Sequence, residues 1–514
     1  MVKQISLILL STSVAFAQQP KTVGRATTKQ PAKAVAAPAP APTPATPAAP
    51  VIVLNQKKVA ELALQQGYRT KEVNLAYQQL KLPYVQTLSA YDWLLGATTG
   101  YQYDKSASLL TGPAELHNKY ERYQTSVTLN KPFTTGTLLG LELNRLSQSA
   151  EYDSSIASPP PSDQTLDRAG ITLEQAILGN FFGVADRGTV NAAEKNYNAS
   201  EILRANELEN VVLDSISQFW NAYIAQENFK EAVNARDRYK KLVDAVRRKT
   251  SLGYSNPGDL PQAQAELENR EQTVKSTSTV YLKAVEDLLT LLALDPKSEV
   301  KFDMAMQLPP MPSLPPKNIE ELRAIRSQKL KVDAAEDSLS AAKSLSYPTL
   351  NVVGKAYTSG VGEKSEDSYS ELADGSRPDY YIGLKFAYNF GSDIQNERIV
   401  YNKLNKDLEQ TRLERQKLEV QDAETQAERL AQAAYSIAQS AEKQKNYREK
   451  AVEELNRSYS QGRTDINNLI TALNNSFAAE VQYITAVGNY HIALNQWAAS
   501  RDELIPDEPE SEKK

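Results

Sequence analysis

The chain has 514 residues, with 58 lysines and arginines against 63 aspartates and glutamates, which gives a net charge of −5. It contains no cysteine and only two histidines, His117 and His491. These counts exclude disulfides, thiolate metal sites and a histidine-rich metal cage. The sequence also has no phosphate-binding loop and no nucleophile elbow, so we expect no enzyme activity, no catalytic residues, no metal site and no cofactor. The weak negative charge differs from the strong basic excess of nucleic-acid-binding proteins, so we expect no nucleic-acid partner.

Residues 1–17 have the features of an export signal peptide. Lys3 is followed by a short apolar stretch, and an Ala-Phe-Ala tripeptide that suits signal cleavage ends at residue 17. The apolar stretch is far shorter than the roughly 20 residues that a membrane-spanning helix needs. Residues 18–54 follow as an Ala/Pro-rich linker, whose composition predicts an extended spacer.

From residue 55 onward, one plan of strands followed by two long helices occurs twice. The residues from Gly253 match those from Gly462, and the glycines at 183 and 391 lie at corresponding places before them. A helix that runs from about 185 to 252 is about 100 Å long, which is typical of a coiled coil or a helical duct. We therefore predict two structural repeats, defined by the following boundaries. The first covers 55–294, with strands at about 97–177 and a helical hairpin at about 185–294 that turns at 253; the second covers 318–500, with strands at about 349–390 and a hairpin at about 393–500 that turns at 462.

The segments around the repeats have simpler predictions. Residues 55–82 predict one amphipathic helix that ends at Pro83. Residues 295–317 are rich in proline and predict a linker between the repeats. Residues 501–514 predict a polar tail.

The helices after the two turn glycines contain heptad-spaced rows, which predict a packed coiled-coil seam. One of the rows consists entirely of alanine, which allows two helix backbones to approach closely. The rows are Leu260, Leu267, Val274, Tyr281 and Leu288 in the first repeat, and Leu469, Ser476, Tyr483, Tyr490 and Trp497 with Ala472, Ala479, Ala486 and Ala493 in the second.

The segments between the helices alternate apolar and polar residues, as strands of an outer-membrane barrel or of a half-buried soluble sheet do. Long polar connections at 104–121, 148–167 and 359–378 favour the barrel. In that case Lys385 and Glu142 face the water-filled lumen, while their neighbours Leu384 and Leu141 face lipid. One chain offers only a few strands, so several chains must share a closed barrel.

Together these residues resemble the TolC-like outer-membrane efflux protein family. The resemblance covers nearly all of 55–500 and depends on the duplicated plan, the two turn sequences and the strand-to-helix glycines. It implies an α+β fold dominated by α-helix, with two internal structural repeats, a long α-helical coiled-coil barrel, and a transmembrane β-barrel shared by a homotrimer. It also implies a place in the cell outer membrane, spanning into the periplasm, in contact with outer-membrane lipid, a periplasmic adaptor protein and an inner-membrane pump.

The first strand region departs from the family pattern. From Pro83 to Gly183 it is 57 residues longer than the region from Pro348 to Gly391. We interpret the excess as an extra hairpin at about 122–147. The strand count of the trimer is therefore left open between twelve and eighteen.

The resemblance also assigns a gate near the turns. In the family, an aspartate near the first turn contacts a tyrosine and an arginine near the second, and the matching residues are Asp259, Tyr459 and Arg463. Arg463 stands one residue early. Asn468 and Thr471 occupy gate positions where the family often has aspartates, so a strong cation-binding ring is not expected. From the residues alone, Asp259 is equally suited to cap the helix that follows it.

The function implied by this resemblance is the exit duct of a tripartite efflux or type I secretion system, a passive trimeric channel gated at its periplasmic tip. Adaptor docking is assigned to the two turns, at Gly253, Tyr254, Gly462 and Arg463. The alternative is a periplasmic coiled-coil tether or structural envelope protein that forms no channel. The sequence does not identify the cargo, and the scarcity of histidine and methionine gives no support for a dedicated metal-export site.

Overall fold

The computed structural model describes residues 51–105, 117–152, 161–391 and 393–506. The predicted signal peptide, and the linker up to residue 50, lie outside these ranges. The first described residues are not spacer, because Val51–Leu54 form strand β1, which pairs in parallel with β6, Glu299–Phe302. The prediction that 18–54 and 295–317 are plain linkers is therefore wrong for these two short segments, whose alternate apolar side chains Leu54, Val300 and Phe302 enter the core.

Helices fill most of the described ranges, and two of them, α4 and α8, have the same length of 68 residues. At about 1.5 Å per residue each is about 100 Å long. None of the helices in these ranges combines the length and the apolar character that crossing a membrane requires. The helices are α1 Gln56–Gln66, α2 Tyr68–Gln79, α3 Lys81–Ser89, α4 Val184–Ser251, α5 Asp259–Leu291, α6 Arg323–Leu345, α7 Ser365–Asp374, α8 Asp393–Ser460 and α9 Ile466–Ala499.

The remaining strands form one antiparallel sheet in the order β2-β3-β4-β5-β7-β8. The extra hairpin predicted at about 122–147 is present as β3 and β4 and is longer than expected. The strands are β2 Leu94–Asp104, β3 His117–Pro132, β4 Thr137–Tyr152, β5 Asp163–Ala176, β7 Thr349–Gly362 and β8 Pro378–Ala387. Part of each segment predicted as a long connection is thus strand, and 359–378 also contains α7.

The prediction of a single helix over 55–82 is wrong. The chain forms α1, α2 and α3 there, with a break at Gly67, whose backbone is not helical. Pro83 does not end a helix but lies in the first turn of α3. Proline is tolerated there because the first amides of a helix have no partner within the helix.

The prediction of a polar tail over 501–514 is wrong for 501–506. Arg501 is buried and pairs with Glu424 of α8 at 2.7 Å. Leu504 packs against the largest apolar cluster, and its amide donates to Glu209 of α4 at 2.8 Å. This segment thus supplies ion-pair and hydrogen-bond partners to glutamates of α4 and α8. Composition alone cannot reveal such long-range contacts. Residues 507–514 lie outside the described ranges.

The helices pack around α4. It contacts α5, α6 and α9, while α8 contacts α9 and α6. The predicted seam on α9 is buried, including Leu469, Tyr483, Tyr490 and Trp497 together with its alanine row. On α5 the corresponding row is mostly only partly buried, and Leu288 alone is fully enclosed.

Candidate functional site

The two turns that follow the 68-residue helices have the same backbone structure. At the first, the amides of Gly253 and Tyr254 donate to the carbonyls of Thr250 and Lys249. At the second, Gly462 and Arg463 repeat the pattern with carbonyls three and five residues upstream. Both glycines have positive φ, 77° and 72°, which only glycine adopts without strain. This pairing of two amides with the last carbonyls is the Schellman motif, which ends both helices at equivalent places.

Asp259 stabilises the first turn rather than capping the helix. Its Oδ2 accepts hydrogen bonds from the Ser255 hydroxyl and the Asn256 amide, each at 3.0 Å. The N-cap of α5 is Gly258, and Asp259 is already the first helical residue. The prediction that Asp259 caps the helix is therefore wrong, because its carboxylate accepts hydrogen bonds from the turn and not from the first amides of α5.

Tyr459 is enclosed at the end of α8, where the sequence places it in the gate. The ammonium group of Lys249 lies 3.8 Å from the centre of its ring and donates to its backbone carbonyl at 2.7 Å. Burial raises the pKa of Tyr459, and the negative charge of Asp259 adds to the increase. The structure thus brings Tyr459 near Asp259 and adds Lys249, a residue that the sequence analysis missed. Lys249 is one of several consecutive basic residues at the end of α4, and no pattern distinguishes it from Arg248.

The other predicted gate residues lie at the surface of the single chain. The Arg463 side chain is exposed, and it has no ion-pair partner among the described residues. Asn468 is exposed and donates to the Thr464 hydroxyl at 3.2 Å, while Thr471 is exposed one turn further along α9. The isolated chain therefore places Asp259 near Tyr459 but leaves the other three side chains exposed.

A groove with a volume of about 520 Å³ lies beside Tyr459, between α4 and α8. Its walls combine apolar side chains with four cations from α4. The lining includes Arg238, Lys241, Arg248, Lys249, Leu242, Leu252, Val452 and Leu473. A surface of this kind is suited to a partner that presents apolar and acidic side chains together.

A buried polar cluster ties three helices together between this groove and the middle of α4. The Tyr239 hydroxyl donates to the Asn474 side-chain oxygen at 2.5 Å, and Arg270 donates to the same oxygen at 2.9 Å. Tyr239 and Arg270 are both buried. Burial raises the pKa of Tyr239, with a smaller increase from Glu266, so the hydroxyl stays protonated and donates. The cluster fastens α5 and α9 to α4 near the turns.

The sheet has one polar and one aliphatic face, and the strand register assigns every side chain to one of them. Residues opposite each other in antiparallel strands point to the same face. Lys385 is opposite Asn351, which is opposite Ala176 of β5, and Glu142 is opposite Gly170 of the same strand. Positions 170 and 176 are an even number of residues apart, so Lys385 and Glu142 lie on one face. Leu384 and Leu141 point to the other. The lumen-facing assignment of Lys385 and Glu142 stays a prediction.

The two faces differ in chemistry. On the polar face Lys385 pairs with Glu174 at 3.5 Å, and Arg168 pairs with Asp379 at 2.9 Å. The opposite face presents an exposed aliphatic band in its half nearer the long helices. Its exposed members are Leu95, Val127, Leu143, Ile171, Leu173, Ile382 and Leu384, joined by the half-buried Leu129 and Leu141 and by the aromatic Phe386. Farther from the helices, the same face carries the Arg145–Asp167 ion pair.

Three comparisons with known proteins bear on this arrangement. No protein-family model matches the chain. The curated relative CzcC, a cobalt-zinc-cadmium resistance protein of Cupriavidus metallidurans, is 25% identical over 167 residues, which is 32% of this chain and 40% of that protein. The chain thus matches less than half the length of this relative.

The solved structures that resemble the chain cover nearly all of it. CusC, described with transmembrane channel formation, aligns with a TM-score of 0.65 and 13% identity over 87% of this chain and 91% of its own. The open state of the outer-membrane channel MtrE from Neisseria gonorrhoeae aligns with a TM-score of 0.63 and 15% identity over 87% and 88%. The chain therefore has the fold of these outer-membrane channels, and the predicted resemblance is confirmed for the fold.

Proposed function

We propose that this protein is an outer-membrane exit duct of a tripartite efflux or type I secretion system. The observation that supports this most directly is a sheet with one exposed aliphatic face and one polar face, joined to two helices about 100 Å long. An aliphatic outer band and a polar interior are what a barrel in lipid requires. The long helices suit a duct through the periplasm.

The proposed assembly is a homotrimer in which each chain contributes two structural repeats. The repeats are supported by the equal lengths of α4 and α8, by α5 and α9 with 33 and 34 residues, and by the matching turns. The assembly itself closes the barrel, because an open sheet edge in lipid leaves backbone groups without partners. The tether alternative does not account for the aliphatic face, which a soluble protein would cover.

The proposed orientation puts Lys385 and Glu142 in the lumen. A lysine at the lipid face costs about 2–4 kcal/mol at the bilayer midplane, whereas leucine is favoured there. Because the chain has no native cysteine, Lys385→Cys and Glu142→Cys can be compared with Leu384→Cys and Leu141→Cys. A water-soluble thiol reagent should label the first two only. Equal labelling at all four positions contradicts the barrel.

The proposed docking site for a periplasmic adaptor comprises the two turns, with Gly253, Tyr254, Gly462 and Arg463, and the groove beside Tyr459. Tyr254 is 80% exposed and projects from the first turn as a contact residue. The four cations of the groove favour an acidic partner surface. The adaptor would in turn connect the duct to an inner-membrane pump, which selects the cargo.

The proposed gate is a contact between neighbouring copies at the tip. Asp259 and Tyr459 already lie near each other, and Arg463 is free to reach an adjacent chain. A charge-assisted hydrogen bond contributes about 1.5–3 kcal/mol, and threefold symmetry repeats it. The gate also includes Asn468 and Thr471, which supply polar groups without charge.

Conductance in planar lipid bilayers tests the channel and its gate together. Wild type should give small single-channel currents. The variant that combines Asp259→Ala, Tyr459→Phe and Arg463→Ser should give larger ones, while Glu268→Ala, an exposed carboxylate on the same helix as Asp259, should behave like wild type. A triple variant that conducts like wild type places the gate elsewhere, and purified trimers that never conduct contradict the channel.

The cargo is not assigned by this proposal. CzcC is named for cobalt, zinc and cadmium resistance. Within the described ranges of this chain, however, no three His, Asp or Glu side chains come together in a way that could hold a metal ion. A passive duct needs no such site, because specificity belongs to the pump.

A further inference from the structure

The sheet ends in two free edges that match each other. Within the described residues, β2 and β8 each have a partner on one side only. They are 11 and 10 residues long, and Leu95 on β2 and Ile382 on β8 are strongly exposed. Six strands that alternate in direction leave β2 and β8 antiparallel, so β8 of one copy can pair with β2 of the next in an antiparallel ladder.

The same two edges continue into exposed helices. Below β2, α2 and α3 carry an exposed row seven residues apart, and below β8, α8 carries another. Rows with this spacing on two helices are those that pack in a coiled-coil seam. The rows are Tyr68, Leu75 and Leu82 on one edge, and Ile394, Tyr401 and Leu408 on the other.

We propose that the edge formed by β8 and α8 of one copy packs against the edge formed by β2, α2 and α3 of the next. Six strands from each of three copies then form a closed wall of eighteen strands. The inference rests on the proposed trimeric channel. The proposal assigns eighteen strands to the trimer, where the sequence leaves twelve or eighteen open. Each free edge is then covered by another copy of this chain.

The β3–β4 hairpin is an integral part of this wall. Its turn lies against the junction between β5 and α4, where a Cβ at Gly183 would lie 1.9 Å from the Thr134 carbonyl oxygen. The Gly136 carbonyl accepts the Ala176 amide at 3.0 Å. The hairpin is therefore fixed at its base and pairs along its length with β2 and β5.

The same hairpin enlarges the ring of strands, because it adds two strands to each copy. Below it, α3 and α4 are neighbours, since the rings of Tyr84 and Tyr197 stack at 5.7 Å and Tyr91 donates to Asp186 at 3.1 Å. Above it, β2 and β5 are separated by two strands. With strands about 4.8 Å apart and tilted by about 40°, eighteen strands form a ring about 36 Å across, against about 24 Å for twelve.

Paired cysteines test the seam, because the chain has none of its own. Thr98→Cys on β2 is combined in turn with cysteine at the odd-numbered positions 379–385 of β8, which share its face of the sheet. The matched controls combine it with the even-numbered positions 380–384, which point to the other face. Oxidation should join three chains covalently in at least one odd-numbered pair and in none of the controls. Cross-sections of the detergent-purified protein by electron microscopy should show a ring of strands about 36 Å across, and not the ring of about 24 Å that twelve strands would form.

Each outcome separates this inference from the proposed function. Products that stop at two chains indicate a closed pair with twelve strands and overturn it. A protein that conducts in bilayers but forms no interchain product, or forms products equally with the controls, overturns the seam and leaves the channel intact. If the protein neither conducts nor forms crosslinks between chains, both the proposed channel and the proposed seam are contradicted.

Discussion

The helices α4 and α8 have the same length and the same terminal turn, yet their surroundings differ. Along α4, buried residues occur in almost every turn beyond Val211, including the fully enclosed Phe219 and Trp220. Along α8, the buried residues are Ala431, Ala438, Ala441 and Tyr459. One helix is central to the chain, and the other lies at its edge.

The low burial of α8 marks the side of the chain where the proposed trimer would add neighbouring helices. Because α4 and α8 have equal lengths, their two turns lie at corresponding positions, as the proposed gate at the turns requires. Burial depends instead on the number of helices that surround each one. In the proposed trimer, a neighbouring copy would cover exposed side chains of α8 such as Tyr401 and Leu418, since exposed apolar patches mark interaction surfaces.

Replacing one tyrosine on each helix should give the largest contrast. Tyr223 of α4 is buried and Tyr401 of α8 is 71% exposed. Tyr223→Ala should cost about 3–5 kcal/mol of unfolding free energy, the range for truncating a large buried aromatic side chain. Tyr401→Ala should leave thermal unfolding of the dissociated chain unchanged but lower the trimer fraction in size-exclusion chromatography with light scattering. Equal losses of stability would mean that α8 is already packed within one chain.

The sequence predicts the long helices, the turns and the alternation of the strands because each depends on local periodicity. Gly253 and Gly462 mark the turns since a positive φ favours glycine. The break at Gly67 and the role of Lys249 were missed for different reasons. The first depends on how α1 packs, and the second on a contact 210 residues apart in the chain. The packing of Arg501 is also set by distant partners, so no local pattern reveals it.

Two ion pairs join the start of α6 to the long helices, a buried one to α4 and an exposed one to α8. Arg323 pairs with Glu209 of α4 in the buried interior, while Glu320, just before α6, pairs with Lys417 of α8 at 2.7 Å in solvent. Arg323→Met should cost about 3–5 kcal/mol, because it leaves the Glu209 carboxylate buried without a cation. Glu320→Gln should cause no measurable loss, since exposed pairs are screened by water. Thermal unfolding followed by circular dichroism measures both.

The control for this pair is the double variant Glu209→Leu with Arg323→Met. Replacing both partners of a buried ion pair with apolar residues should recover part of the stability lost by either single change. A double variant that is less stable than both singles would show that hydrogen bonds to Leu504 and Ile505, and not the charge pair, dominate at this position.

The glycines that begin α4 and α8 provide a third contrast of intermediate size. Gly183 and Gly391 both have positive φ, 77° and 69°. Alanine at either position should cost about 1–2 kcal/mol for the left-handed backbone. At Gly183 the added Cβ also meets the turn of the extra hairpin, whereas at Gly391 it meets no atom of the described residues within 4 Å. Gly183→Ala should therefore lower the unfolding temperature clearly more than Gly391→Ala, and equal effects would mean that the hairpin turn yields easily.

The smallest expected effect concerns pH and compares α9 with α5. His491 of α9 stacks on Trp220 of α4 at 4.0 Å, whereas the corresponding residue of α5, Leu282, is exposed. Burial lowers the pKa of His491 from its usual value near 6.5, and the Gln307 carbonyl at 3.1 Å only partly opposes this. The folded protein therefore holds the neutral ring, while the unfolded chain takes up a proton as the pH falls through 6.5.

The sign of the pH effect follows from this difference in proton binding. Stability from His491 is fully present above pH 6.5 and declines as the pH falls toward the lower pKa of the folded state, with a limiting slope of about 1.4 kcal/mol per pH unit. His491→Phe keeps an aromatic ring against Trp220 and removes the titration, so its unfolding temperature should fall less between pH 7 and pH 5 than that of wild type. Leu282→Phe, at the corresponding position of α5, should leave the wild-type pH dependence unchanged. If His491→Phe keeps the full wild-type slope, the acid sensitivity arises from carboxylates, and the stacked ring takes no part in it.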